Sequence, residues 1–517
     1  MSTRGMVASS HPLAVEAAIN TLRSGGNAID AAVTATFVLM VVEPMATGLG
    51  GDCFALLYTE GEKRLMGLNA SGRAPQAISV DSLLKRGITQ MPREGPLSIT
   101  VPGALDGLAQ CLERFGTITL GDALEPAIFY AENGFPVSEM VAQMWENSSS
   151  KLRTNSESTR IYLPNNKSPQ PGELFRNPDL ARSLRLIAEQ GTSVLYGGAL
   201  GQAIAEAVQE LNGFLNLTDI AEHLSDWVDP IKTVYRGFQV FEMPPNNQGL
   251  AALLALNVVS GYQLSNMGHN SFEYLHQLIE AMKLGLADAR NNIADPANSV
   301  NLEELLSVKH ADELRGRINP RAARQTEAPT ADREAGDTVY VAAADGRGNV
   351  VSLISSLFKS FGSGITVPGT GLVLQNRASG FNLETHHPNR LGPGKRPYHT
   401  IMPGMLMKDG RPWACLGVVG GMMQAQGHLQ VICNLVDFHM DPQSAVDAPR
   451  FRILEDGKLA LENGIAPSVC AELQRVGHQI RSVSTEEGFG GGQLIVLSEG
   501  TLYGGSDPRK DGCALGY

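Results

Sequence analysis

Apolar positions near the start of the chain recur with helical spacing. Ser9-Ser10-His11-Pro12 is a helix-start signal, and Val15, Ala18, Ile19 and Leu22 then keep an i, i+3, i+4, i+7 stripe until Gly25-Gly26. This predicts a first helix of about three turns. Asn27 restarts an Ala-rich segment through Leu39, whose small faces suit close packing in an interior. The glycine loop Thr47 to Asp52 then leads into a strand-like run, Cys53 to Tyr58. A phosphate cradle would need the order strand, loop, helix and a following Lys-Ser/Thr, so tight backbone packing is the better reading. From about residue 100 to 315 helical stretches alternate with loops, the most polar being Asn147 to Gly172.

The pattern then changes abruptly. Asn319 to Gly336 is polar, rich in Ala, Arg and Glu, and without apolar periodicity, which reads as an exposed linker. It abuts a predicted hairpin: strand Thr338 to Ala344, turn Asp345 to Asn349, strand Val350 to Phe358. Cutting the backbone between Asp337 and Thr338 would put a hydroxyl nucleophile and a free α-amine on one residue. Such an amine has a reference pKa of about 7.7–8.0 and serves as a general base near neutrality. The plainer reading is that a β-branched Thr338 opens a strand, and on the residues alone it is preferred.

Composition narrows the class. The chain has 517 residues, 43% hydrophobic and 18% charged, with a net charge of −12. That excludes a disordered or fibrous chain and argues against a duplex nucleic-acid binder. The length allows two or three domains or one large α/β unit. No segment resembles a secretory signal, and the apolar run Phe37 to Val42 is far short of the roughly 20 residues of a membrane span. Six scattered cysteines without a CxxC pair fit buried thiols in a reducing compartment, so a cytoplasmic, disulfide-free protein is expected.

Short motifs in order along nearly the whole chain add a family resemblance. They are Gly5 to Ser9 with His11-Pro12, Gly25 to Ala28 with Asp30 to Ala32, Val42-Glu43-Pro44, Gly48 to Gly51 and Asp337-Thr338. Asp345-Gly346, Gly348-Asn349, Phe361 to Gly364, Lys395-Arg396-Pro397, Gly420-Gly421, Ala448-Pro449-Arg450 and Gly504 to Arg509 continue the series. Together they resemble the γ-glutamyltransferase family of N-terminal nucleophile hydrolases. The resemblance implies an α/β (α+β) fold, a four-layer αββα sandwich. It also implies a proenzyme that cleaves itself at Asp337-Thr338 into a large subunit, 1–337, and a small subunit, 338–517, intertwined as one domain, and it allows a dimer of such heterodimers.

By the same resemblance Thr338 is the nucleophile, Ser356 a hydroxyl that orients it, and Gly420 and Gly421 backbone donors to the oxyanion. The chain departs from the family where γ-glutamyl enzymes hold the substrate's ammonium: Phe358, Arg377 and Gly380 stand at those positions. The family's serine pair becomes His399-Thr400, and its large-subunit arginine aligns with Ser71, with Arg73 two residues on. Arg73 and Arg377 each offer a fork to a carboxylate, and His399 and Thr400 complete the expected pocket, which Phe358 shortens.

A small anionic amide without an ammonium group is therefore expected. Oxamate, cleaved to oxalate and ammonia in purine and allantoin nitrogen breakdown, is the best choice. The alternatives are a γ-glutamyl hydrolase or transferase, a cephalosporin-acylase-like amidase, and an uncleaved, non-catalytic scaffold. No cofactor or metal is expected, since His386-His387, Asp441 and Asp447 lack a ligand spacing.

Overall fold

The computed structural model describes residues 1–298, 300–324, 336–482 and 488–517. Thirteen strands build its two large sheets. They are β1 (Gly5–Ser9), β2 (Asp52–Thr59), β3 (Arg64–Ala70), β4 (Asp226–Val228), β5 (Ile231–Tyr235), β6 (Phe238–Glu242) and β7 (Gly336–Asp345). The rest are β8 (Val350–Lys359), β9 (Gly404–Lys408), β10 (Arg411–Val419), β11 (Gly491–Ser498), β12 (Thr501–Ser506) and β13 (Cys513–Gly516). One sheet runs β13-β1-β7-β8-β2-β3-β4, the other β12-β11-β10-β9-β6-β5, with antiparallel neighbours throughout.

Alternation along the strands makes the layers. Val339, Val341 and Ala343 of β7 face a helical layer that includes α1 (Pro12–Arg23) and α2 (Ala28–Val42). Tyr340, Ala342 and Ala344 face the second sheet through Met405, Cys415 and Ile495. Leu416, Val418 and Leu494 on that sheet's far side pack on α3 (Gly249–Val259), α4 (Phe272–Asn292) and α5 (Met423–Val436). The result is helix, sheet, sheet, helix, the αββα sandwich expected. Both sheets contain strands from either side of residue 337.

Local chemistry sets the first elements. His11 caps α1 by accepting from Leu13 N, and Asn27 and Asp30 form a reciprocal capping box on α2. Asp345 at the hairpin turn accepts from Arg347 N, Asn349 N and, across the layers, Ala28 N.

Three expectations change. The stretch from 100 to 315 is not only helices and loops, because β4, β5 and β6 lie in it. The strand begins at Gly336, so Thr338 lies inside it. Of the expected linker, residues 325–335 lie outside the described residues, and the part before them is held: Ala323 N donates to Val476 O and Arg324 N to Glu280 Oε2. No described helix is long and apolar enough to cross a membrane.

Candidate active site

The hairpin strands are out of register where the chemistry is expected. Val339 pairs with Ser355 and Asp337 with Phe358, so Ser356 and Leu357 together face the single residue Thr338. This is a β-bulge, a device that re-aims a side chain. Phe358 leaves it with φ +82°, a strained value for a bulky residue. The preceding loop locks the bulge: Leu357 N donates to Ala46 O, and Thr47 and Ser355 share a hydroxyl contact of 2.8 Å.

Within the bulge the hydroxyls of Thr338 and Ser356 meet. Thr338, 2% exposed, donates its Oγ1 hydrogen to Ser356 Oγ at 3.4 Å. Ser356 Oγ donates to the carbonyl oxygen of Asp337 at 2.8 Å and accepts from Phe358 N at 2.7 Å. The arrangement suits an N-to-O acyl shift. In such a shift Thr338 Oγ1 would attack the Asp337 carbonyl carbon, its proton would pass to Ser356, and the Ser356 proton would pass to the carbonyl oxygen. As the C–N bond broke, the proton on that oxygen would move to the nitrogen, leaving an ester on Thr338 and a free α-amine, and water would hydrolyse the ester.

Gln424, which the sequence reading missed, is a second side-chain contact of the Thr338 hydroxyl. Its Oε1 accepts from Met402 N at 2.9 Å, which fixes the amide so that Nε2 donates to Thr338 Oγ1 at 3.5 Å. The available signal was its place in the first turn of α5, three residues after Gly421. Gly420 and Gly421, at φ +117° and +60°, make the turn from β10 into that helix, a path that strains any other residue. Their N–H groups have no acceptor among the described residues, as oxyanion donors require. Gln248 ties this turn to the pocket by donating to the carbonyl oxygens of both Gly421 and Thr400.

Arg377 is completely buried, with its guanidinium 4.1 Å above the Phe358 ring and Nη1 donating to Thr400 Oγ1 at 2.9 Å. Among the described residues its Nε and Nη2 have no hydrogen-bond partner and it makes no ion pair. Burial pulls its pKa down to about 9 against the opposing pull of Asp52, which leaves a cation at neutral pH.

The other expected contacts are placed differently. Arg73 reaches Gly394 O and lies 3.8 and 3.7 Å from the carboxylates of Asp226 and Asp295, so its charge is already answered. His399 faces Asp52 Oδ2 at 3.0 Å through Nε2 and accepts from Ile401 N at Nδ1, which leaves no ring nitrogen for a substrate. Burial, reinforced by Arg377, lowers its pKa to about 3 despite Asp52, so the ring is neutral. Its reach goes to Asp52, whose other oxygen accepts from Gly72 N and Gln375 Nε2.

Asp337 is surrounded by lysines. Burial pushes its carboxyl up, while Lys510, a hydrogen bond from Ser360, and then Lys151 and Lys359 pull it down.

Residues 14–517 match the γ-glutamyltranspeptidase family. The chain is 38% identical to the glutathione hydrolase-like YwrD proenzyme of Bacillus subtilis, with 100% of this chain and 99% of that protein covered. It is 30% identical to the oxamate amidohydrolase proenzyme of Klebsiella pneumoniae, over 100% and 99%. A crystal structure of cephalosporin acylase from Bacillus halodurans superposes with a TM-score of 0.95 at 40% identity, over 100% of this chain and 96% of that one. The chain therefore belongs to the γ-glutamyltranspeptidase family of self-processing N-terminal nucleophile hydrolases, enzymes that cleave amide C–N bonds.

Proposed function

We propose that this enzyme cuts itself between Asp337 and Thr338 and then hydrolyses amides whose acyl half ends in a carboxylate, with oxamate, split to oxalate and ammonia, as the preferred substrate. The observation that carries this is Arg377, a fully buried guanidinium that among the described residues has two donor nitrogens without a hydrogen-bond partner and makes no ion pair. A buried charge without a partner is unfavourable by several kcal/mol, and a substrate carboxylate would relieve it. Thr400 and the Phe358 ring hold the fork in place, and the backbone N–H of the same Phe358 reaches the Ser356 hydroxyl. A γ-glutamyl ammonium would meet the same cation and be repelled.

In the processed enzyme the Thr338 hydroxyl attacks the amide carbonyl while its α-amine takes the proton and returns it to the leaving amine. Gly420 and Gly421 N–H groups receive the oxyanion, and Gln424 keeps the hydroxyl aligned. Water then releases the acid. The six unpaired cysteines support the cytoplasmic placement of such an enzyme.

A longer acyl group is the second reading, favoured by an open cavity of about 680 Å³ lined by Phe358, Lys359, Arg93 and Phe381. A panel of oxamate, succinamate, glutaramate and a γ-glutamyl anilide, followed by ammonia or chromophore release, tests both. Turnover of oxamate supports the first choice, and turnover of glutaramate alone supports the second. Turnover of the anilide alone overturns oxamate in favour of a γ-glutamyl substrate, and a single full-length band on a denaturing gel overturns the enzymatic reading in favour of a scaffold.

A further inference from the structure

One turn past Gln424, α5 carries a second buried polar side chain, His428. Residues four apart share a helix face, so the face that touches the Thr338 hydroxyl carries this imidazole too. Its partner is Glu242, the last residue of β6, and both side chains are fully buried. His428 Nδ1 faces Glu242 Oε1 at 2.7 Å, and Nε2 accepts from Val418 N at 3.3 Å. A backbone N–H can only donate, so Nε2 carries no proton and the ring hydrogen sits on Nδ1, directed at the carboxylate. A doubly protonated ring would set one N–H against another. Glycines make the room: a Cβ on Gly404 would lie 3.0 Å from His428 Cε1, and one on Gly249 would lie 2.6 Å from Glu242 Cβ.

Val418 stands two residues before Gly420, near the end of β10. The far side of the glycine turn is pinned, because Gly420 O accepts from Met423 N and Gly421 O from Gln424 N and Gln248 Nε2. The entry to the turn depends on β10. On one edge β11 holds that strand through the pair Val418–Gly492. On the other the ladder with β9 ends at Gly404–Leu416, two residues short of Val418, and the imidazole beside Gly404 continues it. We propose that Glu242 and His428 are a positioning pair for the oxyanion site: Glu242 fixes the imidazole tautomer, and the imidazole fixes Val418, so that Gly420 and Gly421 present their N–H groups at one place. This rests on the reading of Thr338 as nucleophile and of the two glycines as oxyanion donors. The pair distinguishes the chain's two reactions. In self-cleavage the reacting carbonyl oxygen, that of Asp337, is held by Ser356, whereas in turnover the oxyanion falls to the glycines. Loss of the pair should therefore slow turnover and leave processing alone.

Glu242→Leu frees the tautomer without leaving a buried charge. In the processed variant kcat should fall about tenfold with KM unchanged, short of the roughly 10²–10³ that removing a whole oxyanion donor costs. The two subunits should still appear at the wild-type rate on a denaturing gel. Glu242→Gln keeps an acceptor for Nδ1 and should recover most of the lost kcat. The substrate is whichever of oxamate, glutaramate and the γ-glutamyl anilide the wild type turns over, so the result is independent of the acyl preference. Unchanged kcat in Glu242→Leu, an equal loss in Glu242→Gln, or processing slowed in step with kcat would overturn the pair. Where Glu242→Leu does not fold, Glu242→Gln combined with His428→Leu removes the acceptor of Val418 N and leaves no charge behind, and wild-type kcat in that protein overturns the pair as well. A wild type that stays one full-length chain overturns the nucleophile reading and the pair with it, whereas a wild type that cleaves and turns over beside an equally active Glu242→Leu overturns the pair alone.

Discussion

The Ser356 hydroxyl donates to the carbonyl oxygen of Asp337 at 2.8 Å while its own oxygen receives the Thr338 hydroxyl at 3.4 Å. One side chain thus touches both the hydroxyl proposed as nucleophile and the carbonyl oxygen of the bond proposed to be cut. Neither contact would exist in a regular hairpin, since it is the bulge that sets two residues against Thr338.

Self-cleavage should therefore depend on Ser356 more steeply than folding does. Ser356→Ala is expected to slow the appearance of the two subunits by about 100-fold, the lower range for loss of a proton-transfer group, with thermal stability little changed. Ser356→Thr keeps the hydroxyl and should process. A time course on a denaturing gel measures both, and normal cleavage of Ser356→Ala would remove Ser356 from the relay.

Arg377 sets function against stability. Arg377→Met exchanges a buried cation that makes no ion pair among the described residues for an apolar chain, so the unfolding free energy should rise by about 1–4 kcal/mol. The same change removes the fork for the substrate carboxylate, and kcat/KM for oxamate should fall by at least about 100-fold, as for a hydrogen-bonded charge pair. Denaturant unfolding alongside ammonia release tests both halves. A variant that is less stable and equally active would show Arg377 to be a structural residue.

Gln424 acts through the orientation of Thr338. Gln424→Leu keeps the volume but removes the donor to Oγ1, so kcat should fall about tenfold with KM little changed, the pattern of an interaction that matters in the transition state. A rise in KM at constant kcat would instead mean that Gln424 binds substrate.

Much of this was readable from the chain because the signals are local. The stripe Val15, Ala18, Ile19 and Leu22 and the caps His11 and Asn27 lie within a few residues of what they specify. The hairpin around Asp345 is similar, since its turn is held by Asp345 itself. What stayed hidden depends on distant partners. Arg73 reads as a free fork until Asp226 and Asp295 arrive from far along the chain, and His399 reads as a donor until Asp52 takes its Nε2. The bulge was invisible because nothing in Ser355-Ser356-Leu357-Phe358 breaks a strand pattern. The slip is set from outside by Ala46 and Met45, which accept from Leu357 N and Phe361 N. The short strands β5 and β6 escaped because a five-residue strand gives too few positions for alternation to stand out against helices.

Buried titratable groups give the fold a stability optimum near neutrality. Burial is the largest cause of lowered pKa values at four histidines, to about 4 at His11 and His223 and about 3 at His399 and His478. Each is neutral in the folded protein but protonates near 6.5 once unfolded, so the unfolded chain binds extra protons below that pH. Stability should fall as the pH drops from 6.5 toward 4, by up to about 1.4 kcal/mol per pH unit for each histidine. Glu43 works in the opposite sense. Burial raises its carboxyl to about 7, against Lys510 and a hydrogen bond from Ser10, so the folded state holds a proton that the unfolded state releases near 4.5. Its contribution is complete below 4.5 and is lost as the pH rises through 7. Chemical denaturation across pH 4 to 8 should trace a maximum between about 6 and 7. His399→Gln should reduce the acid slope by one histidine's share and Glu43→Gln should flatten the limb above it, and slopes unchanged from the wild type in the double variant would place the proton linkage elsewhere.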